Sequence, residues 1–409
     1  MATRPLPTPR IVPDTGMGLY VHVPFCQTRC PYCDFNTYQG IEDLIAPYLE
    51  AVTAEFGLWG RVLQQPAVNT VFFGGGTPSY LPDGYIGRML AAIRAAFNVE
   101  EDAEVTLEAN PGDLDRAACR RLLSQGINRL SMGVQSLDDG LLTLLGRRHN
   151  SEEAVHAYRA AGDAGFTDIS LDLMYGLPHQ SLAQWRETLQ AVVSLGPTHL
   201  SLYSLTLEEG TPLHHQMEQG KLPEPDPDLA ADMYGLARVL LAGAGYHHYE
   251  ISNWARTGYV ARHNLGYWLN RPYLGVGPGA HSRLGRYRFW EANSPRTYIS
   301  RVKRWQATQP GPFDSLTEAE LRTVAPVAGQ EYIDRDTACA ETMFLGLRLL
   351  DGMDLAEASA GAGADLEAKY RPEIEDLAGL GLLERQDGRL RLTESAYFIA
   401  NQVFTRFVG

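Results

Sequence analysis

In the stretch "LYVHVPFCQTRCPYCDFNTY", residues 19–38, three of the chain's five cysteines fall at positions 26, 30 and 33. Thiolates spaced CxxxCxxC on a tight loop can reach one small metal centre. A lone zinc ion takes four ligands, commonly from CxxC pairs. His22 is the nearest candidate for a fourth, but on a strand it alternates in step with Tyr20 and points with it, toward a barrel interior or the opposite face. A cubane iron–sulfur cluster normally takes four cysteines. Three would leave one iron open to bind a small molecule, and this reading is preferred over zinc or buried structural thiols. Cys119 and Cys339 lie in helical patterns among Ala, Arg and Leu and read as small core residues.

The loop follows the first of six strand-like runs: "GLYVHVP", "VNTVFFGGGTP", "EVTLEANP", "INRLSMGVQS", "DISLDLMYGLP" and "HLSLYSLTLEEG". Amphipathic stretches such as "LIAPYLEAVTAEFGLWGRVL" and "GYIGRMLAAIRAAF" lie between them, with apolar residues at i, i+3, i+4 and i+7. About six β-then-α units in series predict a parallel sheet. Periodicity does not separate an open doubly wound sheet from a full or partial barrel. Every run ends in residues unsuited to a core: the cysteines, "GGGTP", Glu108 with Asn110, Gln135, Asp172 with "YGLP", and Thr206 with Glu208. Polar side chains at the carboxyl ends of parallel strands gather on the face where barrel enzymes place their chemistry.

From about residue 285 the pattern changes. "SPRTYISRVKRW", "TACAETMFLGLRLL" and "LEAKYRPEIEDLAGLGLL" read as helices, and "LLERQDGRLRLT" as two strands around an Asp387-Gly388 turn. A last helix, "ESAYFIANQVFTRF", is predicted with Thr393 as its N-cap. The reading is a proline-rich tail at 1–16, a barrel at 17–284 and a smaller, mostly helical, winged-helix-like domain at 285–409. That last domain lacks the basic recognition helix of a nucleic-acid binder and reads as a protein-contact or lid module.

The 409 residues are 44% hydrophobic and 21% charged, as in soluble globular proteins, and carry 49 acidic against 35 basic residues, a net charge of -14. That balance opposes non-specific binding to DNA or anionic membrane. No stretch approaches the roughly 20 apolar residues that span a bilayer. The first residues lack an apolar h-region, so a cytoplasmic location is expected. An odd cysteine count in a reducing compartment argues against a disulfide framework.

CxxxCxxC after a first strand, with "GGGTP" one unit later, resembles the radical S-adenosylmethionine superfamily. Within it, "LYVHVPFCQTRCPYCDF", "FFGGGTPSYL", "EANPG", "SMGVQSLDDGLLTLLGRRHN", "LDLMYGLPHQ" and "YLGVGPGAHS" are similar to oxygen-independent coproporphyrinogen III oxidases and the HemW-type haem chaperones. "TACAETMFLGLRLLDGMDL" extends the resemblance into the tail. It implies a partial (β/α)6 TIM-like barrel with a [4Fe–4S] cluster on Cys26, Cys30 and Cys33, and S-adenosylmethionine chelating the fourth iron. An electron from the cluster would cleave the sulfonium to methionine and a 5'-deoxyadenosyl radical.

The resemblance also implies roles for single residues. Gly75, Gly76 and Thr77 would hold the methionine end of S-adenosylmethionine. Glu108, Gln135 and Asp172 would bond its ribose and amino groups, and Arg147, or its neighbour Arg148, its carboxylate. Tyr20, Tyr32 and Thr206 match lining positions. Phe35 stands where the oxidase branch has a fourth cysteine, and the first cysteine comes at position 26, whereas the oxidase branch has a longer N-terminal extension. "HNLGYW", residues 263–268, resembles the chaperone branch's haem-contact motif. His263 is then the candidate axial ligand, with Tyr267 and Trp268 packing on the macrocycle and His247 and His248 as rivals. The implied partners are haem or porphyrin, a haem-acceptor protein that could be membrane-associated, and an electron donor such as flavodoxin or ferredoxin. The leading function is haem delivery; the second is oxidative decarboxylation of coproporphyrinogen III.

Overall fold

The computed structural model describes residues 16–308 and 325–408. The tail expected at 1–16 therefore lies outside the described residues, apart from Gly16. Six strands follow in order: β1 (Met17–Val23), β2 (Ala67–Gly75), β3 (Asn98–Ala109), β4 (Arg129–Gln135), β5 (Ile169–Tyr175) and β6 (His199–Ser204). All five neighbouring pairs among them are parallel.

Strand order settles what periodicity leaves open. A doubly wound sheet reverses its order at a switch point. Here β1 to β6 lie side by side in sequence order. Right-handed crossovers without reversal put every connecting helix on one face, so the sheet curls around its other face as a partial barrel.

The helices are those their patterns demand. In α1 (Ile45–Val62), Tyr48, Leu49, Val52, Phe56 and Trp59 recur at helical spacing and are buried. Each fully buried apolar side chain of this size stabilises the fold by about 1.5–3 kcal/mol. Capping boxes start α5 (Ser151–Ala164) at Asn150 with Glu153, and α6 (Leu182–Leu195) at Ser181 with Gln184. The remaining helices of this layer are α2 (Tyr85–Ala96), α3 (Arg116–Gln125) and α8 (Pro227–Gly243), while α4 (Asp139–Leu144) and α7 (Pro212–Glu218) share a separate apolar cluster with Met174 and Leu205.

The sheet runs on past both ends of this barrel. β7 (His247–Glu250) and β8 (Asn253–Ala255) extend it beyond β6. After the short α9 (Arg262–Trp268), β9 (Tyr273–Val276) pairs in parallel with β1, and β10 (His281–Leu284), β11 (Tyr287–Glu291) and β12 (Val327–Tyr332) continue antiparallel. The division expected at 284/285 thus falls inside the β10–β11 hairpin. The helix predicted from "SPRTYISRVKRW" is α10 (Pro295–Thr308), whose Tyr298, Val302 and Trp305 join the barrel core. β11 and β12 are short antiparallel strands whose alternation is too brief to read from sequence.

A separate core starts with α11 (Arg335–Gly346). It contains α12 (Leu355–Ala362), α13 (Leu366–Lys369), α14 (Arg371–Gly379), α15 (Ala400–Phe404) and a three-stranded antiparallel sheet of β13 (Met353–Asp354), β15 (Arg389–Leu392) and β14 (Leu383–Gln386). Asp387 and Gly388 both have positive φ, 52° and 78°, as a two-residue hairpin turn requires. Thr393 does not cap a helix. Its hydroxyl donates instead to Gly381 O at 2.6 Å, and the predicted last helix is cut to a 3-10 turn, α15 and a second 3-10 turn. This unit packs along the β7 edge and α9: Leu350 N donates to Tyr249 O at 3.1 Å, and the Arg348 guanidinium lies 4.2 Å above the Trp268 ring. Covering β7 in this way satisfies part of an otherwise open sheet edge.

Candidate metal centre and ligand site

The cysteine loop hangs from the carboxyl end of β1 and is pinned by the turn after β2. Gly76 N donates to Val23 O and Thr77 N to Phe25 O, each at 2.8 Å, while Cys26 N donates to Tyr38 O at 2.9 Å. The glycines have a steric reason as well. A Cβ on Gly75, at φ 107°, would sit 2.4 Å from His22 Cε1, and one on Gly76 would sit 2.6 Å from Phe25 O. The third backbone amide, Gly75 N, donates to Glu108 Oε2 at 3.1 Å. All three amides of the "GGT" stretch are therefore committed, and the segment offers a ligand its carbonyls and its Cα surface.

Donors converge on the sulfurs. Thr77 Oγ1 donates toward Cys26 Sγ at 3.5 Å, and Arg147 Nη1 toward Cys30 Sγ at 3.4 Å. Burial raises the Cys26 thiol, with the Thr77 hydroxyl acting against it, and burial raises Cys33 likewise. Among the described residues, the trio whose metal-ligating atoms all lie within 4.8 Å of one another is not this one. A tetrahedral zinc site would hold its sulfurs about 3.8 Å apart. At least one pair of these sulfurs is therefore set too wide for a single tetrahedral ion.

The barrel interior beside the loop is half-buried and polar. Tyr20, Glu108, Gln135 and Asp172 line it, with Tyr203 of β6. Asp172 accepts from Ser131 at 2.9 Å and Ser170 at 3.1 Å. Burial and the neighbouring Asp172 charge push the Glu108 carboxyl up to about 7. Two carboxyl groups that disfavour each other's ionisation suit a cationic ligand, since a sulfonium or ammonium would relieve that repulsion. Gln135 sits at φ 66°, which turns the chain at the end of β4.

Arg147 and Arg148 are distinguished by their partners. Arg148 bonds both oxygens of Asp113, at 3.0 and 3.1 Å, and also Gln27, bracing the loop rim. Arg147 reaches inward, donates to Gly133 O at 2.7 Å and leaves its buried Nε without a hydrogen bond. Tyr32 packs against the apolar cluster of Leu141, Leu145 and Leu213, its hydroxyl raised by burial. Thr206 is exposed in the loop after β6.

The "HNLGYW" residues lie elsewhere. His263 is buried, with Nδ1 2.9 Å from Thr70 Oγ1 and Nε2 2.8 Å from Tyr267 OH, and its ring stacks on Phe72 at 5.1 Å. It touches Gly18 at the start of β1. Five residues of strand, roughly 17 Å, separate that layer from Val23 and the cysteine end. α9 is thus a plug in the amino-terminal end of the barrel, held by Glu104, which accepts from the backbone N–H groups of Arg262 and His263 at 2.7 and 3.0 Å. Burial lowers the imidazole to about 3. This departs from the expectation of an axial ligand, because neither ring nitrogen is free for an iron. The cleft alongside measures only about 130 Å³, whereas ligand pockets run from about 300 Å³. His248 stacks on Trp254 at 3.9 Å and bonds Ile251 O, and His247 pairs at the surface with Asp351 at 3.3 Å.

His22, weighed from sequence only as a metal ligand, is instead a wall of the site, its ring fixed by Tyr20 OH at 2.9 Å and Asn36 O at 3.0 Å. Sequence reading missed Tyr203, which stands beside Asp172 and Glu108. The alternation His199, Ser201, Tyr203 along β6 carried that signal.

A curled parallel sheet with three thiols at the mouth defines the radical SAM class, and the Radical SAM superfamily model matches residues 20–192. Membership of that superfamily implies a [4Fe–4S] cluster and S-adenosylmethionine. The HemN C-terminal domain model matches residues 333–399, within the second core. The chain is 37% identical over 410 residues to the heme chaperone HemW of Mycobacterium tuberculosis (strain ATCC 25618 / H37Rv), covering 99% of this chain and 98% of the relative. The heme chaperone HemW of Bacillus subtilis (strain 168) is 34% identical, covering 95% and 98%. The chain belongs to the family of heme chaperone HemW. Its fold is that of the Escherichia coli coproporphyrinogen III oxidase HemN, with a TM-score of 0.81 over 97% of this chain and 91% of that one, at 23% identity. Among the described residues no helix is long and apolar enough to cross a membrane.

Proposed function

We propose that this chain binds haem and passes it to an acceptor protein, with its cluster and S-adenosylmethionine governing the transfer. The observation that carries the reading is near full-length similarity, 37% over 99% of the chain, to a relative named a heme chaperone. Phe35 supports it, because the position where the oxidase branch has its fourth cysteine holds a phenyl ring that is 62% exposed.

When bound, the cluster supplies the electron that cleaves S-adenosylmethionine. The chain's own contributions are a loop held by Gly76, Thr77 and Tyr38, donors from Thr77 and Arg147 toward the sulfurs, and the Glu108–Asp172 pair facing the ligand. A reduced flavodoxin or ferredoxin suits the role of electron donor. The C-terminal unit reads as the protein-contact module.

The test supplies the anaerobically reconstituted protein with S-adenosylmethionine, a reductant and coproporphyrinogen III. No protoporphyrinogen IX is expected, together with saturable haem binding and haem transfer to an apo-acceptor. Formation of protoporphyrinogen IX would replace this reading with the oxidase.

A further inference from the structure

Two adjacent histidines on α7, "TPLHHQMEQG", play no part in the site above. Thr211 caps the helix by accepting from His214 N, and Pro212 opens its first turn. Leu213 and Met217 bury one face against Leu141, Leu145, Met174 and Leu205. Leu213 N donates to Pro31 O of the cysteine loop at 2.9 Å. The helix is therefore fixed at the barrel mouth, and what it presents on its other side is held in place.

That side presents His214, His215 and Glu218. Spacings of three and four residues put both imidazoles beside one carboxylate. His215 Nδ1 lies 3.0 Å and His214 Nδ1 3.7 Å from the same Glu218 Oε2, and the three ligand atoms all lie within 4.8 Å of one another. Metal–nitrogen and metal–oxygen bonds of about 2.0–2.2 Å place neighbouring ligand atoms roughly 3.0–3.4 Å apart in octahedral or tetrahedral geometry. The two imidazole–carboxylate separations lie close to that range and the third is within 4.8 Å, so a cation would bind by drawing the two imidazoles toward one another.

A second observation separates this trio from an ordinary helix ion pair. His214 Nδ1 is buried and has no hydrogen-bond partner. A buried polar nitrogen without a partner is costly, and a metal ion would satisfy it where Glu218, at 3.7 Å, does not. Glu218 and His215 are exposed, which leaves the remaining coordination positions to water or an outside ligand.

We infer that His214, His215 and Glu218 form a binding site for a divalent first-row transition metal, separate from the thiol loop and seated on its outer wall. Two imidazoles and a carboxylate suit Zn²⁺, Ni²⁺ or Cu²⁺ and do not suit Mg²⁺ or Ca²⁺, which prefer all-oxygen sets. Loading the site would clamp the last turn of α7, and through Leu213 and Pro31 would stiffen the cysteine loop.

The test is Zn²⁺ titration of the untagged, anaerobically purified full chain by calorimetry, beside His215→Ala, Glu218→Gln and the double variant His214→Ala/His215→Ala. Thiol-bound zinc is common to all four proteins and cancels in the comparison. The wild type is expected to take up one equivalent more than the double variant, and each single variant to bind that equivalent at least tenfold more weakly. Mg²⁺ should not compete. Because His215 and Glu218 are exposed, these two single variants should keep the wild-type melting temperature without metal. Equal stoichiometry and affinity in all four proteins would overturn the assignment.

Discussion

Arg147 Nη1 lies 3.4 Å from Cys30 Sγ although 117 residues separate them in the chain. The same guanidinium is anchored on Gly133 O and keeps a buried Nε without a hydrogen-bond partner. Arg148, one residue on, turns to Asp113.

This contrast predicts opposite phenotypes. Arg147→Ala should weaken S-adenosylmethionine binding to the reconstituted protein by about 10- to 100-fold, the value of a hydrogen bond to a charged group. Arg147→Lys should recover only part of the loss, since an ammonium lacks the planar fork. Arg148→Ala should leave that affinity within a factor of about three and instead lower stability by about 1 kcal/mol. Calorimetric titration and urea unfolding separate the two, and equal loss of affinity in both variants would refute the distinction.

His263→Ala should behave as a core mutation. It removes bonds to Thr70 and Tyr267 and a ring stacked on Phe72, so a loss of about 2–4 kcal/mol is expected in urea unfolding. The Soret spectrum and haem affinity of the folded variant should match wild type. A stable variant with abolished haem binding would restore His263 as the ligand.

Gly75→Ala should disable the site without touching a thiol. The new methyl would meet an imidazole that cannot yield, because Tyr20 and Asn36 hold both its nitrogens, and φ 107° disfavours any side chain. A loss of about 2 kcal/mol or more is expected, with iron content after reconstitution well below that of wild type. Wild-type iron and stability would show that the β2 turn is more tolerant than its contacts imply.

A buried carboxyl pair makes stability depend on pH. Glu55 and Glu291 face each other in the core, with Trp59, Tyr298 and Gly277 donating to Glu55, and burial raises both carboxyl groups above the ordinary range. The folded state therefore holds a proton that the unfolded chain releases near pH 4.3. The pair's contribution is full below that pH and is lost as pH rises through the raised folded-state values, so unfolding free energy should fall between about pH 5 and 8. Glu291→Gln keeps a side chain of similar shape without the second ionisation, and should flatten the slope. Urea titrations at three pH values check this; an unchanged slope would mean that the pair does not titrate in this range.

The gathering of three thiols on one loop, the alternation of strand and helix, and the glycine cluster after β2 were legible in the chain, whereas the packing of those glycines on His22 and the Phe25 carbonyl was not. The legible features each depend on spacing, φ preference or periodicity within a few residues, which a short window carries. The capped starts of α5 and α6 were written equally locally, at Asn150 with Glu153 and Ser181 with Gln184. Tertiary structure decided the rest. It sent Arg147 rather than Arg148 to the sulfurs, carried the sheet to Tyr332, and turned the histidine of "HNLGYW" from an expected iron ligand into a barrel plug. These outcomes depend on partners 14 to 193 residues away, such as Gly133 for Arg147 and Thr70 for His263, and on which groups burial leaves with a free nitrogen or N–H. Residue type sets what a side chain can do; packing sets what it faces.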